Sequence, residues 1–98
     1  MLEAQCGIQV AARSTPANRR ELLQTLEELR RKACADAPDC RCEIFEDLTE
    51  SNRFLWTEWW PAHNEARAAM DSDGFRALLA AIRVLGTLDF VRLVDTRE

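Results

Sequence analysis

Apolar and polar residues alternate along 2–12, LEAQCGIQVAA. Leu2, Ala4, Cys6, Ile8 and Val10 share one face, and Glu3, Gln5, Gly7 and Gln9 share the other. That period of two predicts a half-buried strand. Arg13-Ser14-Thr15-Pro16 breaks it and starts a helix, with Thr15 as N-cap and Pro16 in the first helical position. Leu22, Leu26, Leu29 and Ala33 then recur at helical steps, with Leu23 widening the stripe and Glu21 suiting the early turn. The helix is expected to run to about residue 35, where Ala37-Pro38-Asp39 stops it.

Residues 40–48, CRCEIFEDL, alternate again, with Cys42 and Ile44 against Glu43 and Phe45. A turn at Glu50-Ser51-Asn52 leads into residues 53–60, RFLWTEWW. Here Phe54, Trp56, Glu58 and Trp60 point one way, and Leu55, Thr57 and Trp59 the other. Both sets are bulky, which predicts a strand covered on both sides. Pro61 opens an alanine-rich helical segment, PAHNEARAAM, which Asp71-Ser72-Asp73-Gly74 interrupts. Phe75, Leu78, Leu79, Ile82 and Leu85 form the stripe of a further helix, for which Gly86 is a natural stop. Residues 87–95, TLDFVRLVD, make the last strand, with Leu88, Phe90 and Val94 expected opposite Val91 and Leu93.

The resulting β-α-β-β-α-β order is an α+β class, a single domain over 1–98 with helices on one face of a four-stranded sheet. The other face would then expose apolar side chains from 53–60 and 87–95. A small chain with such a face needs a cover, and a twofold homodimer joined through the open sheet face supplies one.

Composition narrows the function classes. The chain is 47% hydrophobic and 31% charged, with three glycines and three prolines, so disorder is expected at most in the last few residues. A net charge of −4 and no basic run longer than Arg30-Arg31-Lys32 argue against nucleic acid. That run falls late in a helix, where cations complement the dipole. No basic-led apolar leader and no apolar run of about 18 residues stand out, so no membrane association is expected and the cytoplasm is the default. There the four cysteines, Cys6, Cys34, Cys40 and Cys42, should be reduced. Cys40-Arg41-Cys42 lacks the gap of a zinc knuckle, so no metal site is expected.

Residues 46–79 also carry a resemblance. The ordered set Asp47, Asn52, Arg53, Phe54, Glu58, Trp60, Ser72 and Phe75 resembles the segment marking the antibiotic-biosynthesis-monooxygenase-like family of dimeric α/β barrels. The resemblance implies a ferredoxin-like protomer whose sheets pair into a barrel, with a pocket between each sheet and its covering helices. Catalytic members of that family oxygenate polycyclic phenols to quinones without flavin, metal or haem. Family members often carry two histidines at positions that align with Ala69 and Gly74 here. Haem-degrading relatives use a first-strand asparagine, which residues 2–12 lack.

A cofactor-free oxygenase needs a dry pocket, a base and polar groups to orient the substrate. Phe54, Trp56, Trp59, Trp60 and Phe75 could wall it, although core and interface roles explain them equally well. Glu58 is the sharpest candidate base, because aromatic neighbours would desolvate it. A donor such as Arg53, Arg92 or a backbone amide should accompany it. The one histidine, His63, is the second candidate base, with a solvated or capping role at the exposed first turn of its helix as the plainer reading. Asn64 could orient a ligand oxygen. Two functions follow: a cofactor-independent monooxygenase-like protein acting on a small aromatic or quinone-like molecule, or a non-catalytic ligand-binding or structural homodimer.

Overall fold

The computed structural model describes residues 5–95, so the expected strand start at 2–4 and the chain end at 96–98 lie outside the described residues. The elements run β1 (Cys6–Ser14), α1 (Arg19–Asp36), β2 (Arg41–Glu46), β3 (Arg53–Trp60), α2 (His63–Met70), α3 (Asp73–Leu85) and β4 (Gly86–Asp95). All sheet pairings are antiparallel, in the order β2-β3-β1-β4. This is the ferredoxin-like arrangement, with the second helical region split into α2 and α3.

One apolar cluster joins the sheet to the helices. Cys6, Ile8, Val10 and Ala12 of β1 meet Phe54 and Trp56 of β3, Leu22 and Leu26 of α1, Ala66 of α2, and Phe75, Leu78 and Ile82 of α3. Burying each large aliphatic or aromatic side chain contributes about 1.5–3 kcal/mol. The same registers put Gly7, Ala11, Leu55, Thr57 and Trp59 on the opposite, uncovered face. There Phe45 and Phe90 remain 49% and 40% exposed. Covering of β3 on both sides is therefore not complete within the described chain.

Three local expectations are corrected. Thr15 does not cap α1: it starts a turn whose carbonyl and hydroxyl both accept from the Asn18 amide, and the helix begins at Arg19. Arg30-Arg31-Lys32 precedes the last turn of α1, where no basic residue lies, and Arg30 pairs with Glu27 instead. In β4 the register slips between Ala11, opposite Phe90, and Ala12, opposite Leu88. Asp89 is the extra residue of this bulge, and both its carboxylate oxygens accept from Nε of Arg13, at 2.9 and 3.0 Å. The slip returns Leu88 to the helix side with Val91 and Leu93, leaving Phe90 and Val94 on the open face.

Two glycines permit close approach. A Cβ at Gly86 would run into the carbonyl oxygen of Arg13 across the β1–β4 pair. Gly7 forms a flat seat for the Trp59 ring, whose atoms would lie 2.6–2.9 Å from an added Cβ. The β2–β3 hairpin is closed by Asp47, which accepts from the Thr49 hydroxyl at 2.7 Å and from the Thr49 and Glu50 amides at 2.8 and 3.2 Å. Those hydrogen bonds, the Thr49 hydroxyl first, hold its carboxyl below the usual range, and Arg53 adds to the effect. The motif residues Asp47, Asn52 and Arg53 are thus hairpin builders: the Asn52 carbonyl accepts from the Ser14 amide at 2.8 Å. Ser14 itself ends β1, and its buried hydroxyl has no hydrogen-bond partner among the described residues.

Candidate functional site

A cavity of about 550 Å³ opens between the second half of α1, the end of β3 and the α2–α3 junction. Leu29 and Ala33 come from the apolar stripe of α1, and Trp56, Glu58 and Trp60 from alternate positions of β3. Phe75 enters from the first turn of α3, whose start is fixed by Ser72, the N-cap that accepts from the Phe75 amide at 3.2 Å. Lys32, Asp36 and Asp73 complete the polar part of the wall. A cavity of this size suits a small organic molecule.

Glu58 is 5% exposed, yet its cross-strand neighbours are Ile8 and Cys42. The strand itself supplies its donors. Nε1 of Trp56 donates to one carboxylate oxygen at 2.8 Å, and Nε1 of Trp60 to the other at 3.1 Å. A period of two puts residues 56, 58 and 60 on one face, so the indoles flank the carboxylate from either side. The expected donors, Arg53 and Arg92, are elsewhere. Arg53 serves the hairpin acids Asp47 and Glu50, and Arg92 on the open face donates to Gln9 at 2.7 Å. Among the described residues, no cationic side chain lies within ion-pair distance of Glu58.

The thiols of β2 and of the residue just before it register that carboxylate. Burial pushes the Cys40 thiol up to about 12, and the negative charge of Glu58 reinforces the shift. Cys42, directly across from Glu58, is pushed up for the same two reasons in the same order. These are protonated packing residues, not nucleophiles. All four cysteines are free, and among the described residues no group of three His, Cys, Asp or Glu side chains is arranged to hold a metal ion.

The structure gathers four of the eight sequence candidates, Trp56, Glu58, Trp60 and Phe75, around one cavity. Phe54 is buried in the core, and lines a separate hollow of about 280 Å³ with Phe45, Leu55 and Phe90. Trp59 stacks over Gly7 on the far side of the sheet. His63 and Asn64 sit exposed at the start of α2, outside the cavity. His63 has its own partner, with Nδ1 3.6 Å from Sγ of the buried Cys6. Burial, then Asp95, keeps that thiol's pKa above its ordinary value, against a lowering by Arg67. Sequence reasoning missed Lys32 and Asp36, which look like ordinary helix-surface charges until the fold sets α1 beside β3. Ala69 and Gly74, which align with the family's histidines, both line the cavity. At those positions the chain supplies space to the cavity and no imidazole.

Comparison with known proteins gives a fold and no closer kinship. No family model matches the chain, and no curated protein matches it. Among solved structures, a Caulobacter crescentus protein described as a candidate antibiotic biosynthesis monooxygenase has a TM-score of 0.82 at 19% identity, covering 98% of this chain and 92% of that one. A Bacteroides thetaiotaomicron protein of unknown function, described as a possible oxidoreductase, has a TM-score of 0.78 at 18% identity, covering 96% and 99%. A Chloroflexus aurantiacus protein with the same monooxygenase description has a TM-score of 0.69 at 21% identity, covering 96% and 94%. These likenesses span nearly the whole of each chain and show a shared ferredoxin-like fold.

Proposed function

We propose that this chain, as one domain over 1–98, is a cofactor-independent monooxygenase-like protein that admits a small aromatic or quinone-like molecule to the cavity beside Glu58. The observation that carries the proposal is a buried carboxylate on an aromatic cavity wall, held by two indole N–H groups and, among the described residues, paired with no cation. Each carboxylate oxygen has further acceptor capacity, so Glu58 is placed to receive a hydrogen bond or a proton from a ligand. In a phenol oxygenation the base takes the phenolic proton and the electron-rich ring anion reacts with O2. One oxygen atom enters the ring, the other leaves as water, and the phenol becomes a quinone. The monooxygenase descriptions of the structural neighbours support this class.

The assembly that fits is a homodimer through the open sheet face, where Phe45, Leu55, Trp59 and Phe90 form an uncovered apolar set. Four free thiols fit a reducing compartment, and we place the protein in the cytoplasm. No described helix is long and apolar enough to cross a membrane.

A second reading, a non-catalytic ligand-binding or structural homodimer, is favoured by Ala69 and Gly74 on the cavity wall in place of the expected histidines. Oxygen uptake with naphthols, beside a thermal-shift series on the same compounds, separates the two. The enzyme reading expects saturable uptake that falls about 100-fold in Glu58→Gln, the scale of losing a general base. A raised melting temperature without uptake establishes the binding protein instead. No shift with any aromatic compound removes the ligand site altogether.

A further inference from the structure

The charges around the cavity are unbalanced, and the imbalance has chemical meaning. Glu58 lies at the buried wall, while Asp36 and Asp73 stand at exposed positions of the rim. Among the described residues, Lys32, also exposed, is the one cation lining it. Among the described residues, nothing on the neighbouring strands offsets Glu58: its partners on β1 and β2 are Ile8 and a Cys42 thiol kept neutral by burial. Ala69 and Gly74 bring no basic group from the helix side.

An unpaired carboxylate in an apolar setting is costly, and two neutral indole donors offset only part of that cost. The group that completes such a site is a charged donor. A quinone offers only acceptor oxygens, which would meet carboxylate oxygens with no proton between them. A carboxylate ligand would add like charge. A protonated nitrogen brings donors, opposite charge and affinity for aromatic neighbours such as Trp56, Trp60 and Phe75.

We infer that the ligand carries a protonated amine, and that Glu58 anchors it as an ion pair at the inner end of the cavity while an aromatic or apolar body fills the space between α1 and the α2–α3 junction. This rests on the cavity being the ligand site; it narrows the class proposed above to cationic aromatic members and sets its quinone-like members aside. Glu58 then serves as the anchor of the ligand before any proton transfer.

The test is calorimetric titration of the full chain with three probes of one shape at neutral pH: 2-naphthylmethylamine, 2-naphthylmethanol and 2-naphthoate, with 1,4-naphthoquinone beside them. The amine is expected to bind at least about tenfold more tightly than the alcohol, as a charge-assisted hydrogen bond exceeds a neutral one. The naphthoate is expected not to bind. In Glu58→Gln the amine should lose its advantage while the alcohol keeps its affinity. Should that variant fail to fold, the ranking on the unaltered protein decides by itself. Alcohol or quinone binding as tightly as the amine overturns the cationic ligand and leaves the cavity reading intact. An amine preference that survives Glu58→Gln also overturns it. No binding by any probe overturns both.

Discussion

The indole nitrogen of Trp56 donates to a carboxylate oxygen of Glu58 at 2.8 Å, two residues along the same face of one strand. Trp60 repeats the relation from the other side at 3.1 Å. Glu58→Ala therefore strips the acceptor from two indoles at once. It should destabilise the fold by about 2 kcal/mol, within the range for leaving buried donors unpaired. Glu58→Gln retains one acceptor oxygen and should cost about half as much. Urea unfolding of both variants checks the order. Equal stability of Glu58→Ala and the parent chain would mean that water replaces the carboxylate at no cost.

The β1–β4 seam makes a second prediction. A methyl group at Gly86 meets backbone, the Arg13 carbonyl, which cannot swing away. Gly86→Ala should cost about 2 kcal/mol or more, the scale of overpacking. At Gly7 the obstacle is the Trp59 ring, so Gly7→Ala should be milder and should move the indole into solvent. Unfolding midpoints rank the two variants, and a red-shifted emission identifies the second.

The thiols set an alkaline limit. Cys40 has an ordinary value of 9.0 and rises to about 12 in the fold, because burial and the Glu58 charge disfavour its thiolate. Below about pH 9 the thiol is neutral in both states and its contribution to stability is fully present. As the pH rises toward about 12 the unfolded chain ionises first, so stability falls. Melting temperatures should drop between about pH 9 and 11, and less steeply in Cys40→Ala. Iodoacetamide at about pH 8 should modify the half-buried Cys34 before Cys6, Cys40 and Cys42. Peptide mass mapping gives the sequence of labelling.

The open face yields the assembly prediction. Phe90 is 40% exposed there, with Arg92 over its ring at 4.7 Å. Phe90→Lys should halve the sedimentation mass at micromolar concentration and leave the circular dichroism of the protomer unchanged. A parent chain that already sediments with the mass of one chain rules the homodimer out.

Much of this architecture was legible in the sequence because the sheet faces are written in period two. Residues 53–60 were assigned to the strand that forms, and Glu58 fell on the aromatic face that lines the cavity. Features that depend on distant backbone were not legible. The slip at Asp89 exchanged the side of Leu88, and local alternation carries no mark of a bulge set by pairing with β1. Charge points to an arginine or a backbone amide as the donor to Glu58, whereas the strand's pleat delivers two indoles. Lys32 and Asp36 became part of the wall only when α1 was laid against β3. The place of His63 at an exposed helix start is legible from Pro61 and the helical pattern, but its contact with Cys6, 57 positions away, is not.

The three tryptophans fall into two groups that would answer to different events. Trp56 and Trp60 are both bonded to Glu58, and Trp59 lies on the opposite side of the sheet against Gly7. The molecule thus has a built-in optical gauge for each side. In a Trp59→Phe chain all the emission comes from the indoles at the carboxylate and reports occupancy of the cavity. What the unaltered chain adds to that spectrum is the light of the open face, which dims or shifts as a second copy covers it.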